Sequence, residues 1–352
     1  MVTRARSRSV AAIAALGLAA CTPELDDRTF LVTGPRLLAI ASSPAEAEPP
    51  ATVTLRALYV DEDGERTQGE LSWAYCTARR TLTDQGTVSP SCLAPDGEGL
   101  VPLGAGPSVE GALPMDGCRL FGPDRPEPMD GEPAGRPVDP DPSGGYYQPV
   151  RLLVRDGGER YSIGATRIAC GISGATAEVA ADFGKRYRDN ENPAIASLAI
   201  VRDGKTEELP PGAGSTPVKP GEKLTLRASW AACPTAPACG DGVCGNDETV
   251  QDCAADCTTP KGCTGSEPYL VFDPETRGLL SRREEIRVSW FTTAGEIASD
   301  VVGRTVDDVA KSSDVENVWT APTKPGVARI WLVIRDDRGG IGWEGYRFQV
   351  GD

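Results

Sequence analysis

Residues 327–350 read VARIWLVIRDDRGGIGWEGYRFQV. Two largely apolar runs flank a turn rich in Asp and Gly, which is the pattern of a β-hairpin. Residues 149–172, PVRLLVRDGGERYSIGATRIACGI, repeat this pattern, with an Arg-Asp pair before the glycines in both copies. The sequence therefore predicts one kind of hairpin that occurs twice in the chain.

The strands that precede each hairpin also correspond. TVTLRALYV at 52–60 parallels KLTLRASWA at 223–231, and ELSWAYC at 70–76 parallels IRVSWF at 286–291. Because the order is the same in both halves, we predict two divergent copies of one all-β module. Short alternating strands, a Trp in an early strand and a final hairpin are typical of an immunoglobulin-like sandwich.

A local motif in the second copy points the same way. Trp319-Thr320-Ala321-Pro322, followed by a Pro-Gly pair and the final hairpin, resembles bacterial surface immunoglobulin-like domains with their W-x-A-P turn. The resemblance covers most of residues 194–352 and is looser over 33–173. It implies an all-β chain with two tandem immunoglobulin-like β-sandwich domains and a Cys-rich loop insertion in the second. It implies nothing about activity.

The composition shifts along the chain divide it further. Residues 95–149 contain twelve prolines and eleven glycines, and we expect an irregular loop there because prolines cannot donate ladder hydrogen bonds. The predicted organisation is a signal peptide at 1–20, a tether at 21–32, a first domain at 33–173 with this Pro/Gly-rich loop, a polar linker with a short helix at 174–193, and a second domain at 194–352 with a Cys-rich insertion at 232–268.

The N-terminus has the features of an export signal. Three arginines precede a short apolar run, and Leu18-Ala19-Ala20-Cys21 resembles the lipobox of bacterial lipoproteins. The resemblance implies cleavage before Cys21 and a lipid anchor on its thiol; an ordinary cleaved signal is the alternative. Thr22 stands where lipoproteins retained in the inner membrane often have Asp. We therefore expect an outer-membrane protein that faces the periplasm or the surface.

The charge of the chain narrows the choice of partners. The formal net charge is −15, from 36 Lys and Arg against 51 Asp and Glu. Such a chain lacks the basic face that phosphate binding needs, so we expect no nucleic-acid partner. The expected partners are the membrane, through the anchor on Cys21, and envelope proteins or glycans.

The cysteines also support export. Ten remain besides Cys21, four in the first half and six in the second, and even numbers in an oxidising compartment predict disulfides. They are Cys76, Cys92, Cys118, Cys170, Cys233, Cys239, Cys244, Cys253, Cys257 and Cys263. Three pairings are open for the first four, of which we favour Cys76–Cys170 with Cys92–Cys118. A Cys233–Cys263 bridge would close the neck of the insertion.

Residues 239–257, CGDGVCGNDETVQDCAADC, raise the question of a metal. The spacing lacks the paired CxxC of zinc sites, and acidic neighbours disfavour thiolates. The segment resembles a short repeat, CGDGxCxxxETxxxCxxDC, of exported myxobacterial proteins, which implies a small disulfide-knotted module. Its carboxylate and amide oxygens are of the type that calcium prefers as ligands. The alternative is that these acidic side chains are solvated and bind no metal. The candidate calcium ligands are Asp241, Asn246, Asp247, Glu248, Asp252 and Asp256.

The chain contains no histidine, which removes Ser-His-Asp and Cys-His catalysis and His-ligated zinc. We find no catalytic constellation and, calcium aside, expect no cofactor. The leading hypothesis is a non-enzymatic envelope lipoprotein with a structural or protein-binding role. One alternative is a carbohydrate-binding or envelope-assembly accessory protein that uses the inserted loops. Another is a hydrolase that works with paired carboxylates.

Overall fold

The structure is a computed structural model of the chain. It describes residues 28–66, 69–80, 86–123, 142–202, 204–212, 214–231, 266–306 and 312–351.

The first half contains strands β1 (Arg36–Ser43), β2 (Glu46–Ala47), β3 (Thr52–Asp61), β4 (Gly64–Glu65), β5 (Glu70–Cys76), β6 (Leu100–Ala105), β7 (Ser108–Ala112), β8 (Gly145–Arg155) and β9 (Glu159–Ala169). A 3-10 helix (Pro90–Leu93) and the short helix α1 (Gly117–Phe121) lie between them. One sheet has the order β1-β3-β4, with β7 also paired to β3, and the facing sheet has the order β2-β9-β8-β5-β6.

Helix α2 (Ala177–Arg186) follows, and the second half contains β10 (Ile195–Arg202), β11 (Lys205–Leu209), β12 (Thr216–Val218), β13 (Lys223–Trp230), β14 (Pro268–Asp273), β15 (Gly278–Arg283), β16 (Ile286–Thr292), β17 (Glu296–Ile297), β18 (Val301–Arg304), β19 (Asp314–Thr320), β20 (Gly326–Asp336) and β21 (Ile341–Val350). The two large sheets have the orders β11-β10-β13-β19-β17 and β12-β21-β20-β16-β18. Strands β14 and β15 form a separate hairpin.

The internal repeat is confirmed strand by strand. The two predicted hairpins are β8–β9 and β20–β21, each antiparallel. Each hairpin pairs with the strand that carries the early Trp, β5 or β16, and its last strand pairs in parallel with a short edge strand, β2 or β12. The facing sheets correspond as well, as β1-β3-β7 and β10-β13-β19. The fold is all-β, with two tandem immunoglobulin-like β-sandwich domains.

The two sandwiches lie side by side, so that three apolar layers separate four sheets. The core of the first domain includes Val53, Leu55, Trp73, Tyr75, Val150, Leu152 and Ile168. The core of the second includes Leu198, Leu226, Trp290, Trp319, Ile330, Leu332 and Phe348. Between them the outer faces of β1 and β3 pack on the outer face of β20. We call this cluster the interdomain layer: Val32, Leu38, Ala39, Leu58, Val60, Trp331 and Val333.

Strand β20 shows why the sequence is apolar without interruption at 330–334. Ile330 and Leu332 point into the core of the second domain, whereas Trp331 and Val333 point into the interdomain layer. A strand that is buried on both faces reads as a continuous apolar run rather than as an alternating one.

The chain between Arg28 and Val32, at the end of the predicted tether, is fixed to the second domain. Val32 N donates to Thr292 O at 2.8 Å, and Thr292 N donates to Phe30 O at 2.9 Å. Phe30 belongs to the core of the second domain. Residues 30–32 therefore contact the second domain, and the first strand of the first domain begins only afterwards, at Arg36.

The expectation of an irregular loop over 95–149 is wrong for much of that range. Strands β6 and β7, helix α1 and the start of β8 lie within it. Strand β6 tolerates Pro102 because it is the edge strand of its sheet, where a missing N–H leaves no ladder position unpaired. The densest Pro/Gly part, 124–141, lies outside the described residues.

The favoured pairing of the first four cysteines is also wrong. The structure joins Cys76 to Cys92 and Cys118 to Cys170. Strand β8 lies between β5, which ends at Cys76, and β9, which Cys170 follows. Two strand spacings of about 4.8 Å place these cysteines beyond the reach of about 7 Å that a disulfide allows. Each cysteine instead pairs with one in a short helix above the sheet.

The linker contains the expected short helix. Thr176 caps α2, since its hydroxyl oxygen accepts from Val179 N at 3.3 Å. Phe183 of α2 packs against Leu270 of the β14–β15 hairpin, and Phe272 N of the same hairpin donates to Pro142 O at 2.7 Å. The hairpin thus joins the linker to both domains.

Candidate functional site

The structure leaves the predicted ligand and lipid sites untested. Cys21, the six cysteines of the insertion (Cys233, Cys239, Cys244, Cys253, Cys257 and Cys263) and the candidate calcium ligands from Asp241 to Asp256 lie outside the described residues. The most unusual chemistry within the described ranges is a group of buried charged side chains between the two domains. We call it the joint: Glu46, Arg167, Asn190, Glu267, Glu284, Asp336 and Arg338.

Arg338 is the centre of the joint in the second domain. It lies in the turn between β20 and β21, and its Nε donates to Glu284 Oε1 at 2.6 Å while Nη2 donates to Glu267 Oε2 at 2.7 Å. Its Nη1 donates to Arg188 O of the linker at 3.2 Å. The guanidinium carbon lies 4.9 Å from the centre of the Tyr269 ring. Arg338 therefore fixes the base of the β14–β15 hairpin and the linker to the turn.

The two glutamates are placed by the hairpin backbone. Glu267 precedes β14 and Glu284 follows β15, and Glu284 N donates to Glu267 O at 2.9 Å. Glu267 N in turn donates to Glu284 Oε2 at 2.9 Å. Both residues are 1% exposed and Arg338 is 2% exposed. Two carboxylates thus converge on one guanidinium group away from water.

Arg167 and Glu46 form the counterpart in the first domain. The pair has an Arg167 Nε to Glu46 Oε2 distance of 3.0 Å, with both side chains buried. Glu46 also accepts from the Tyr187 hydroxyl and from Asn190 N of the linker. Arg167 Nη2 donates to Ser143 Oγ at 2.8 Å. This ion pair therefore fixes the linker to the first domain.

Asp336 and Tyr147 complete the connection across the domains. Asp336 Oδ1 accepts from Arg338 N and Gly340 N of its own turn, and Asn190 Nδ2 of the linker donates to the same carboxylate. The Tyr147 hydroxyl of β8 donates to Arg338 O at 3.2 Å. A chain of charged and polar groups thus runs from β2 and β9, through the linker, to the turn of the second hairpin.

The joint contains more carboxylates than guanidinium groups. Burial raises the pKa of Glu267 and Glu284, and the Arg338 charge opposes that rise. Burial also raises the pKa of Asp336. In the linker, burial lowers the pKa of Arg188 to about 10. Excess negative charge away from water favours the protonated form of a carboxyl group.

Sequence reasoning identified the turn but not the joint. The second hairpin reads RDDRGG where the first reads RDGGER, so the second has two additional charged residues, Asp337 and Arg338, between the Arg-Asp pair and the glycines. That difference between the copies was the available signal. The sequence gives no such signal for Glu46, Glu267 and Glu284, because their burial depends on the side-by-side packing of the domains.

The ends of the Cys-rich insertion emerge close to the joint. Trp230, at the end of β13, and Ser266, where the described chain resumes, line one cavity of about 10 Å³ together with Glu284. Ser266 Oγ donates to Glu284 O at 2.5 Å. The insertion therefore leaves and re-enters the fold at one place, which we call its root. The cavity has room for about one water molecule and admits no substrate.

A larger cleft lies on the first domain. Its volume is about 530 Å³, and its walls include Phe121, Tyr146, Tyr147, Pro149 and Ile163, with Arg80, Thr87 and Ser89 as polar members. Aromatic and apolar walls with a few polar groups are typical of small-ligand sites.

Within the described residues, the helices and the acidic clusters offer no further candidate site. No helix there is long and apolar enough to cross a bilayer. No cluster of three or more Cys, Asp or Glu side chains in those ranges could hold a metal ion.

Comparisons with known proteins do not identify a family. No family model and no curated protein matches the chain. Among solved structures, the fibronectin(III)-like modules of CbhA from Clostridium thermocellum match with 8% identity and a TM-score of 0.19, covering 92% of each chain. The Yersinia pseudotuberculosis adhesin InvE matches with 11% identity and a TM-score of 0.19, and trypsin-activated alpha-2-macroglobulin from Escherichia coli with 8% and 0.22. The alignments cover 89% and 92% of this chain but only 60% and 17% of those two proteins.

Proposed function

We propose that this protein is a non-enzymatic outer-membrane lipoprotein, anchored through Cys21, whose paired sandwiches hold the Cys-rich insertion in position to bind a protein partner of the envelope. The observation that supports this proposal is the placement of two chain segments at opposite ends of the second domain. The N-terminal segment pairs with Thr292 at the end of β16, and the root of the insertion lies beside Glu284, just before β16 begins.

The dimensions fit this role. Strand β16 has seven residues and spans about 20 Å, which separates the tether end of the domain from the root end. The seven steps from Cys21 to Arg28 can extend at most about 25 Å. A lipid on Cys21 would hold the tether end near the bilayer, with the root of the insertion farther along the domain.

The packing of the domains supports the same role. The interdomain layer and the Tyr147–Arg338 hydrogen bond fix the two sandwiches to one another, and Arg338 fixes them to the hairpin that holds the root. Fixing a binding loop before the partner arrives lowers the entropy lost on binding. A rigid double sandwich is therefore a suitable support for a loop that binds.

The binding proposal is tested by crosslinked capture from native envelopes. We would compare the full lipidated protein with one variant in which a Gly-Ser linker replaces 233–263 and another in which it replaces 124–141. Capture of the same envelope protein by the wild type and the second variant, and not by the first, would support the proposal. Capture that survives both replacements would show that neither inserted segment is the binding surface.

The anchor is tested separately with Cys21→Ser. We expect the wild type to take up labelled fatty acid and to fractionate with outer membranes, and the variant to lose both properties. Thr22→Ser is the matched control, since it changes the neighbouring residue and leaves Cys21 and the disulfides intact. A Cys21→Ser protein that still incorporates fatty acid would exclude this anchor.

The cleft favours a second candidate function, a carbohydrate-binding or envelope-assembly accessory role. Aromatic rings such as Phe121 and Tyr147 offer apolar faces on which sugars stack. Titration with soluble envelope glycans should then give saturable binding that Thr87→Trp weakens by narrowing the cleft, whereas Thr323→Trp on the second domain leaves it unchanged. Equal glycan binding by both variants would exclude the cleft as the glycan-binding site.

A further inference from the structure

Glu267 and Glu284 both pair with Arg338, so two carboxyl groups face one positive charge. Glu267 and Glu284 lie 2.7 and 2.6 Å from guanidinium nitrogens of the same arginine. One positive charge can balance one carboxylate. The backbone N–H that Glu284 Oε2 accepts brings no net charge.

Bulk solvent does not reach either carboxyl group in this arrangement. Both glutamates are 1% exposed, and Glu267 Oε1 is buried with no hydrogen-bond partner in the described part of the protein. A carboxylate oxygen that is ionised, buried and without a partner is strongly unfavourable, and such a group takes up a proton instead.

The surrounding elements do not correct the imbalance. The linker presents one cation and two acids, the hairpin and β18 add one cation each, the turn after β20 adds two acids, and the first domain presents one neutralised ion pair, so the surroundings remain net acidic. The charged and titratable groups facing the pair are Arg188, Asp189 and Glu191 from the linker, Asp336 and Asp337 from the turn, Glu46 and Arg167 from the first domain, Tyr147 from β8, Tyr269 and Arg283 from the hairpin, and Arg304 from β18.

We propose that Glu267 and Glu284 hold one proton between them while the base of the β14–β15 hairpin is closed on Arg338, so that closing the joint binds a proton. The proton makes one carboxyl group neutral and gives it an O–H, which leaves a single carboxylate opposite Arg338. Because the root of the Cys-rich insertion adjoins Glu284, loss of the proton would loosen the root together with the hairpin.

The direction of the pH dependence follows from the raised pKa of both glutamates. In the open or unfolded chain each pKa returns to its ordinary value of about 4.3. The closed joint therefore has its full stability below that pH and loses stability as the pH rises towards the raised value. Each proton released on opening changes the opening constant by up to about tenfold per pH unit.

The experiment is hydrogen exchange on the full protein between pH 5.5 and 8.5, corrected for the intrinsic pH dependence of exchange. We expect the amides of Glu267, Glu284 and the hairpin to lose protection by up to about tenfold per pH unit over part of this range. Glu267→Gln should remove most of that pH dependence, because the one remaining carboxylate, Glu284, is then balanced by Arg338 and needs no proton. Glu275→Gln, in the exposed turn of the same hairpin, should behave as the wild type.

A second measurement needs no variant. Infrared difference spectra of the folded wild type, with carbon-13 in the glutamate carboxyl groups, should show a protonated carboxyl band at pH 7 that disappears when the protein unfolds. Absence of that band, or unchanged pH dependence in Glu267→Gln, would overturn the proposal.

Discussion

Arg338 shows how a single side chain in a turn can connect several elements. Its guanidinium group bonds to Glu267, Glu284 and the carbonyl of Arg188, and its carbonyl accepts from Tyr147. A buried ion pair adds little net stability compared with an apolar core, because both charges lose their hydration. Removal of one partner is different, since it leaves the other charge buried without compensation.

We therefore expect Arg338→Met to lower the free energy of unfolding by about 3–5 kcal/mol. Methionine fills much of the same volume but leaves both glutamates without a cation. Urea unfolding at pH 7 measures the change.

The control for that experiment is Arg347→Met, on an exposed position of β21. A surface change of this kind should lie within about 0.5 kcal/mol of the wild type. Addition of Glu267→Gln and Glu284→Gln to Arg338→Met should recover part of the loss, since the buried charges are then gone. Equal, small effects of Arg338→Met and Arg347→Met would contradict a role for Arg338 in the joint.

At the scale of elements, the two disulfides each fasten a short helix to a sheet. Cys92 lies in the 3-10 helix and bonds to the end of β5, and Cys118 lies in α1 and bonds to the residue after β9. Their sequence separations are 16 and 52 residues. Since the loss of chain entropy grows with loop length, the second bond should stabilise more.

We expect the free energy of unfolding to fall by about 3 kcal/mol in the double variant Cys76→Ala/Cys92→Ala and by about 4 kcal/mol in Cys118→Ala/Cys170→Ala. Thermal or urea unfolding of the two double variants measures them. A peptide map without reduction should show both bonds in the wild type. Linked peptides that join Cys76 to Cys170 would contradict the observed pairing.

The elements were largely predictable, because local patterns determine them. The Arg-Asp hairpins have clear turn residues between apolar runs, the TLRA strands have a period of two, and all of them form as predicted. The disulfide partners were not predictable, since they depend on which strand lies between β5 and β9. Strand β6 was missed because Pro102 is acceptable only on an edge, and the edge position is a property of the sheet.

At the scale of the whole molecule, the side-by-side packing of the two domains buries side chains whose burial the sequence could not indicate. Trp331 is an apolar strand residue whichever face it occupies, and only the position of β1 and β3 makes its outer face a buried one. The joint follows from the same packing, because Glu46 and Arg338 are far apart along the chain and are brought together by the docked domains. A pattern with a period of two identifies buried faces but not the element that covers them.

The packing predicts that the two halves stay together after the linker is cut. A protease site inserted between Ser173 and Gly174, both exposed, would separate the chain after the last strand of the first domain. The interdomain layer, the hydrogen bonds of the joint from Tyr147 to Arg338 and from Asn190 to Glu46, and the pairing of Val32 with Thr292 all connect the two fragments without the linker peptide bond. We expect the cut protein to elute as one species in size-exclusion chromatography and to separate in urea.

Variants distinguish this result from incidental association. Trp331→Ala removes the largest side chain of the interdomain layer and should weaken the contact by about 3–5 kcal/mol, so that the cut halves separate at lower urea. Leu280→Ala, at an exposed position of β15, should leave the urea midpoint of separation unchanged. Halves that separate as soon as the linker is cut would mean that the domains are joined by the chain alone, and a rigid support for the insertion would then be excluded.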